Sequence, residues 1–484
     1  MRMPAVTASL LAVPLLLAAP RIAHAAGAVQ LDFRQAVKLT MASSPSLRES
    51  RGQLKAANGA ATAAKGRRWP SLSASLNASR SNDPLNVFGA KLSQRQATFA
   101  DFGAGQFTGP GSLNVAPQAL NYPGAYNNFD TSVQIEWPLY QGGRTSAAIS
   151  QAEAQIKAAR NGSLAAHQEV IFSVLRAYEG VRAAHAELNV AKNARTAAAS
   201  YLAMAQKRYK QGTALKSDLL TAQVSYDQSR LEERNARDRL ENTREYLRIL
   251  TGLPEGTDIA IGPPAQPDLP AQPLTELKRE ALVNNPTLAA LRDRINSRRA
   301  AVSGKKAAYL PRFSLVLRRD WNDRTLGLAA SSYTVAGVVS WDLFDFGTRR
   351  GSVAQATGRL DSAEGRFDAY KQRLQVEVDR SWRTAREAAE RVTVNSNAVA
   401  QASEAQRILK LRFGKGLTTI TELLDGQTRL QQAQANLVKA RYQLRVSRAA
   451  LLAELGTLDL AHIKDTASQA APTPATSQTP GDSE

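Results

Sequence analysis

The sequence has no cysteine among its 484 residues. Disulfides, thiolate metal sites, a cysteine nucleophile and a lipid attached to cysteine are therefore excluded. Histidine is also scarce, and His167, His185 and His462 lie far apart without carboxylates at ligand spacing. No phosphate-binding glycine loop and no Gly-x-Ser-x-Gly elbow is present. We therefore predict no metal site, no cofactor and no enzymatic activity.

Proline is missing from two long stretches, between Pro138 and Pro254 and between Pro311 and Pro472. Residues 144–211 could form one helix of roughly 100 Å, a rod that must lie against other rods. Its many small residues suit close contact with neighbours on two sides. A free two-stranded coiled coil is less favoured because clean heptads are not sustained.

Long apolar runs are confined to the N-terminus. Arg2, the short apolar run Leu10–Ala19 and the small-x-small sequence Ala23-His24-Ala25 are typical of a secretory signal, which we place at residues 1–25. No later stretch is apolar enough for a transmembrane helix. We therefore expect an exported protein.

Positive charge exceeds negative charge, with 62 Lys and Arg against 42 Asp and Glu, a net charge of +20. The basic residues are spread along the helical stretches, which is typical of a solvated helical surface. Export also argues against a nucleic acid partner. Two alternatives stay open at this point, an exported coiled-coil scaffold and a periplasmic protein that binds polyanions.

A repeat organises the rest of the chain. Arg208 matches Arg412, Gly212 matches Gly416, and both pairs are 204 residues apart (412 − 208 and 416 − 212). The same spacing joins Trp137 to Trp341 and Gly252 to Gly456. A repeat of this length predicts two copies of one structural unit, each with a long helical hairpin that turns at a glycine.

The repeat sets the predicted domain boundaries. Residues 26–253 form repeat 1, residues 254–273 a Pro-rich linker, and residues 274–460 repeat 2. Residues 461–484 form a tail with too little apolar content to fold, which we expect to be disordered. Pro45 and Pro286 should each divide the opening helix of a repeat in two.

Strict alternation of apolar and polar residues predicts four strands, two in each repeat. They are expected over the segments 71–79, 129–137, 313–318 and 333–341. Aromatic residues at their ends suit the girdles of a membrane barrel, and an ordinary sheet packed on helices is the alternative. Because four strands cannot close a barrel and an open edge cannot sit in lipid, several chains must share one. Residues 82–128 look like an irregular loop present only in repeat 1.

Three acidic residues follow the glycine turns. Glu422 and Asp425 are three residues apart, so both lie on one helical face, and Asp218 is the matching acid in repeat 1. In a single chain they would only complement the helix dipole. In a ring of three chains they could form a carboxylate constriction that binds cations.

Several motifs, in this order and twice over, carry a family resemblance. They include Trp69-Pro70-Ser71-Leu72, the turn Trp137-Pro138-Leu139-Tyr140-Gln141-Gly142-Gly143-Arg144, and hairpin tips of the form Arg-aromatic-x-x-Gly followed by an acid and two leucines. On these motifs the chain resembles the TolC-like outer-membrane efflux proteins over nearly all of its mature length. The implied fold is mainly α with a small β part, a duplicated unit of helix, strand, strand and long helical hairpin.

The resemblance implies a homotrimer in the outer membrane of a Gram-negative cell. Its lipid-embedded β-barrel would have twelve strands, four from each chain, above an α-helical tunnel in the periplasm. The implied function is a passive exit channel for small molecules or proteins in a tripartite efflux or type I secretion system. A periplasmic adaptor would dock at the hairpin tips, and an inner-membrane pump of RND, ABC or MFS type would supply energy.

The resemblance also assigns the site residues. The family's acidic periplasmic gate falls on Glu422 and Asp425, with Asp218 as its partner on the other hairpin. Phe413 and Thr418 stand where a tyrosine and an arginine help to lock the best-known member. The closed state would therefore rest on fewer bonds, or on others such as those of Arg412 or Lys415. The expected docking tips are Gly212, Thr213, Ala214, Leu215, Gly416, Leu417, Thr418 and Thr419.

Overall fold

The computed structural model describes residues 29–465. The expected signal sequence and residues 466–484 of the expected tail lie outside them. The elements, apart from four short 3-10 turns, follow in the order β1 (Val29–Leu31), α1 (Phe33–Ser43), α2 (Pro45–Gly66), β2 (Ser71–Ser81), α3 (Pro84–Ser93), α4 (Gln118–Asn121), β3 (Tyr126–Tyr140), α5 (Arg144–Lys210), α6 (Lys216–Thr251), β4 (Ile259–Ile261), β5 (Ala265–Pro267), α7 (Leu274–Asn284), α8 (Pro286–Lys306), β6 (Arg312–Asp323), β7 (Ala330–Ser340), α9 (Thr348–Gly414), α10 (Ile420–Leu455) and β8 (Ile463–Asp465).

The two repeats have helical hairpins of equal size. α5 and α9 each contain 67 residues, and α6 and α10 each contain 36. At 1.5 Å per residue, each long helix spans about 100 Å. The duplicated unit predicted from the 204-residue spacing is therefore present.

Helix breaks fall at the predicted prolines. Ser44 caps α2, its hydroxyl accepting from the Leu47 amide at 3.4 Å. Asn285 caps α8 in the same way, accepting from the Leu288 amide at 3.0 Å. The backbone N–H that proline lacks would have no partner at the first helical position. Proline is therefore favourable there, and each of these prolines begins a helix.

The four predicted strands form one antiparallel sheet in the order β2-β3-β6-β7. Ile135 lies opposite Leu72 on one side and Leu317 on the other, which places the apolar residues of neighbouring strands on one face. Within the described residues, strand β2 pairs only with β3, and β7 pairs only with β6. Each outer strand therefore keeps an open hydrogen-bonding edge.

Helices form layers that are also open at their sides. α5 packs against α2, α6, α8 and α10, whereas α9 packs against α7, α8 and α10. Helices α6 and α9 lie at the two sides of the helical hairpins and keep large apolar side chains exposed. These are Leu220, Val224, Leu231, Tyr246, Ile249, Val376, Val394, Ile408 and Leu411. No helix within residues 29–465 is both long and apolar enough to cross a bilayer.

Three predictions need correction. The supposed linker 254–273 contributes β4, which pairs in parallel with β1, and β5, which pairs antiparallel with β8. The tail was expected to be disordered from residue 461, but β8 at Ile463–Asp465 is ordered. The segment 82–128 contains α3 and α4 and the start of β3. Strands of three residues carry no periodic signal, so the sequence could not show them.

A buried carboxylate joins these small sheets to the helices. Glu179 of α5 is 1% exposed and accepts from Arg445 of α10 at 2.7 Å and from the Ala265 amide of β5 at 2.8 Å. Burial raises the pKa of Glu179, although the Arg445 charge opposes this shift. Arg182 adds a second positive charge, with its Nε 3.8 Å from the same carboxylate, so the buried charge is compensated by two arginines.

Candidate functional site

The hairpin tips are built by glycine. Gly212 (φ +71°) and Gly416 (φ +75°) adopt the left-handed conformation that glycine allows without strain. In the first tip the Thr213 amide donates to the Arg208 carbonyl at 2.9 Å, and in the second the Leu417 amide donates to the Arg412 carbonyl at 2.9 Å. These Schellman turns end α5 and α9 where the sequence predicted.

The two tips share an apolar cluster, which places them side by side. Its buried members are Tyr201, Leu202, Ala205, Ala222, Phe413, Ile420, Leu423 and Leu424. They come from all four hairpin helices, so this end of the molecule is one packed unit. Leu423 and Leu424, the two leucines that follow Glu422, both belong to this cluster.

One arginine fastens the first tip to the second. The Arg208 guanidinium lies 4.4 Å from the centre of the Phe413 ring. Its Nη2 donates to the carbonyls of Phe413 at 2.5 Å and Gly414 at 3.2 Å. Cation–π and charge-assisted contacts thus join Arg208 of the first tip to the end of α9 in the second.

Within this chain, neither Arg412 nor Lys415 makes the link between the two tips, and their part in a closed assembly stays a prediction. Arg412 reaches only the Leu417 carbonyl of its own tip, at 3.5 Å, and the described residues give Lys415 no side-chain partner. The sequence showed Arg208 only as the repeat counterpart of Arg412. No sequence signal separates the two arginines, because the difference depends on which aromatic ring is buried.

The three acids lie where the sequence predicted, at the start of the returning helices. Asp218 accepts from the Leu215 amide at 3.3 Å. Glu422 accepts from the Thr418 hydroxyl, and its own amide donates to the Thr419 hydroxyl at 3.2 Å. Glu422 and Asp425 are exposed on one face of α10. Within residues 29–465 no cation lies within 4.0 Å of any of the three, so their charges are not neutralised by an ion pair.

A polar network that the sequence did not reveal lies above the tips. The Gln406 amide donates to the Tyr201 hydroxyl at 2.8 Å and to Gln427 at 3.2 Å. Burial raises the pKa of the Tyr201 hydroxyl. Gly426 sits against it: a Cβ at this position would lie 2.5 Å from Leu409 Cδ1. The network fixes the spacing between α9 and α10 just above the acids.

The residues expected to dock a partner occupy the two turns. Leu215 and Leu417 are large apolar side chains held exposed at the ends of the hairpins. Ala214 and Thr418 are half-buried, and the remaining tip residues are exposed. Over the described part of the chain, no group of three or more acidic residues and histidines is placed to hold a metal ion.

The fold and these tips define a class of protein. The model of the outer membrane efflux protein family matches residues 36–253 and 277–457, which is most of the chain and both repeats. The chain belongs to that family, and it is an outer-membrane exit channel of the kind that serves efflux or secretion.

Curated relatives agree. The alkaline protease secretion protein AprF of Pseudomonas aeruginosa is 23% identical over 351 residues, covering 70% of this chain and 72% of AprF. Protein CyaE of Bordetella pertussis is 25% identical over 434 residues, covering 88% of this chain and 84% of CyaE. The crystal structure of the outer membrane protein VceC from Vibrio cholerae matches with a TM-score of 0.71 and 18% identity. That match covers 88% of this chain and 96% of VceC, and it shows the same fold.

Proposed function

We propose that three copies of this chain form one continuous passage, a shared barrel above a helical tunnel, that closes at the hairpin tips. The observation that carries the proposal is that every layer is open at both sides. The sheet ends in unpaired edges at β2 and β7, and the helical layer ends in apolar faces on α6 and α9.

Ring closure would satisfy all of these edges at once. If β7 of each copy pairs with β2 of the next, three copies give a sheet of twelve strands (3 × 4) with no edge. A heterologous contact repeated by a three-fold rotation closes after three copies. The apolar faces of α6 and α9 would meet in the same step, one from each neighbouring chain.

The tips would then form the periplasmic end of the passage. We propose that Glu422 and Asp425 from each copy line a narrow acidic ring, with Asp218 on the adjoining hairpin. The exposed turns around Gly212 and Gly416 would receive a periplasmic adaptor, which couples the passage to an inner-membrane pump. AprF is named for protease secretion, which supports protein cargo as one use of such a passage. The passage itself requires neither a catalysed reaction nor a cofactor.

Cysteine cross-linking tests the ring. The chain has no cysteine, so Ser73→Cys in β2 combined with one of Ser332→Cys, Thr334→Cys or Ala336→Cys in β7 introduces the only two thiols. Within one chain these strands are separated by two others, about 14 Å, which exceeds the roughly 7 Å limit for a disulfide.

We expect oxidised double variants to run as covalent trimers, while each single variant stays monomeric on a denaturing gel. Planar-bilayer conductance of the detergent-purified protein provides the second readout. Absence of both covalent trimers and conductance, from protein that stays soluble without detergent, would overturn the proposal in favour of an exported scaffold.

A further inference from the structure

A groove of about 430 Å³ lies where the helices meet the sheet. It is formed by the first turns of α5 and α9, the last turns of α8, and Arg67 just after α2. The strands β3 and β7 end only a few residues before these first turns. The groove therefore sits at the level where the sheet ends, far from the hairpin tips.

The groove is lined by positive charge. Arg67, Arg144, Arg298, Lys305, Arg349 and Arg359 line it, and no carboxylate does. Only Arg349 has an acidic partner, Asp345 at 2.7 Å. Within the described residues, the other five have no carboxylate within 4.0 Å. Like charges gathered without counter-ions repel one another, and an anion placed among them would remove that cost.

An exposed apolar patch adjoins the groove. Its members are Tyr309, Leu310, Trp341, Leu343, Phe344 and Phe346. Arg349 joins the two, because its guanidinium lies 5.0 Å from the Tyr309 ring and donates to the Leu343 carbonyl at 3.2 Å. Trp341 in turn donates from its indole to the Tyr309 carbonyl at 3.1 Å. The patch follows β7 along the chain, and β7 carries the exposed residues Val335 and Val339.

Phe346 is an exposed member of this patch with an unusual backbone conformation. It adopts φ +48°, although it is not glycine, and is 92% exposed. Its repeat counterpart, 204 residues earlier, is Gly142 with φ +60°. The chain thus places an aromatic side chain, packed edge-on to Phe344 at 4.6 Å, where the backbone favours glycine.

We propose that the groove binds the phosphate of an anionic phospholipid headgroup, with the acyl chains lying along the patch from Tyr309 to Phe346. The inference rests on the proposed membrane channel, since it needs the sheet to lie in lipid. A cationic groove beside aromatic residues fits an amphiphile with a negative head and apolar tails. Free phosphate would be attracted by the charges but has no use for the patch.

The test compares two triple variants that remove the same charge. Arg144→Gln/Arg298→Gln/Arg359→Gln empties the groove of three cations that have no ion pair. Arg230→Gln/Arg429→Gln/Arg441→Gln removes three exposed arginines of α6 and α10 as the control. Binding of phosphatidylglycerol to the detergent-purified full protein is titrated by native mass spectrometry, beside phosphatidylcholine and inorganic phosphate.

We expect the protein to prefer phosphatidylglycerol over phosphatidylcholine, and the groove variant to bind it more weakly by on the order of 100-fold, since each cation near a membrane surface contributes about fivefold. The control variant should stay within about twofold of the parent. Displacement of bound phosphatidylglycerol by inorganic phosphate at low millimolar concentration would overturn the proposal. It would mean that the groove binds a small anion rather than a lipid.

Undiminished phosphatidylglycerol binding by the groove variant would also overturn the proposal. If bilayer conductance of that variant then changed its ion preference, the cations would line the passage instead. Bilayer conductance also distinguishes the two proposals. If the parent protein conducts normally but does not bind phosphatidylglycerol, only the lipid site is refuted. If the parent protein does not conduct, the channel on which the lipid site depends is refuted.

Discussion

Arg208 stacks on Phe413, and the equivalent contact is missing in the other direction. Phe413 is 4% exposed beneath the Arg208 guanidinium, 4.4 Å from its ring centre. The repeat counterpart of Phe413 is Tyr209 (413 − 204), which is 42% exposed, while Arg412 bonds only within its own tip. The duplicated hairpins therefore differ at this point, and a single arginine fastens the first tip to the second.

The first prediction concerns this arginine. Arg208→Met keeps the aliphatic stem but removes the bonds to the Phe413 and Gly414 carbonyls, at a cost of about 2 kcal/mol. The closed tip should loosen, and single-channel conductance should rise. Arg412→Met is the matched control and should leave conductance close to that of the parent. Equal effects of the two changes would mean that the Arg208–Phe413 contact does not hold the tips closed.

The second prediction concerns the acidic ring. Glu422→Ala/Asp425→Ala should weaken block by divalent cations and raise the small conductance of the closed state, because it removes two charges per chain from the proposed constriction. Glu232→Ala/Asp238→Ala removes the same charge from exposed positions on α6 and should change neither. Titration of cation block in planar bilayers is the measurement. Cation block that is unaltered in the tip variant would rule out these residues as the gate.

The third prediction concerns the turns. Gly212→Val and Gly416→Val face no steric obstacle, since no atom lies within 4 Å of the added Cβ. They are strained only by the left-handed backbone, by about 1–2 kcal/mol. Each should distort its turn and reduce export, measured as susceptibility of the host strain to a panel of toxic compounds.

Two controls accompany these glycine variants. Gly212→Asn should retain export because asparagine tolerates this conformation. Gly365→Val adds the same side chain within helix α9, where it meets no neighbour, and should cost less than the tip changes. Wild-type export by both valine variants at the tips would argue against these turns as the docking site.

The fourth prediction concerns pH. Burial first, and then the Glu377 charge, raises the pKa of Glu454, with Glu169 adding to the shift and Arg373 opposing it. The folded chain therefore binds this proton more tightly than the unfolded chain. Protonation of Glu454 therefore stabilises the folded chain. This stabilisation is complete below the unfolded pKa of about 4.5 and is lost as pH rises through the higher folded pKa.

Replacing this carboxyl should therefore flatten the pH dependence. Glu454→Gln should raise the Tm near neutral pH and reduce the decline in Tm as the pH rises from about 4.5 towards neutrality. Glu390→Gln removes an exposed charge on α9 and should leave the slope as it is. Thermal melts monitored by circular dichroism over this range provide the test. A variant slope equal to the parent's would show that Glu454 does not titrate there.

Periodic features could be predicted from the sequence. The 204-residue spacing located both tips, the missing prolines predicted two rods, and alternation predicted all four strands of the sheet, with β2 extending to Ser81 and β3 starting at Tyr126. Each of these depends on a pattern repeated over many residues. A pattern of that length stays recognisable even when single positions depart from it.

Contacts between the repeats could not be predicted. Arg208 meets Phe413 only because two turns more than 200 residues apart fold against each other. The strands β4, β5 and β8 have three residues each and are fixed by partners elsewhere in the chain. The groove cations also looked like scattered surface charge until three helices brought them together.

The equal lengths of α5 and α9, 67 residues each, limit how the two halves of the gene can diverge. Deleting one residue from either rod would withdraw its tip by about 1.5 Å and turn it by about 100°. Arg208 would then miss Phe413, and the acids of the two hairpins would face different directions. Insertions and deletions in these helices should therefore survive only when both halves acquire them together, whereas the segment between β2 and β3 is free to vary in one half alone.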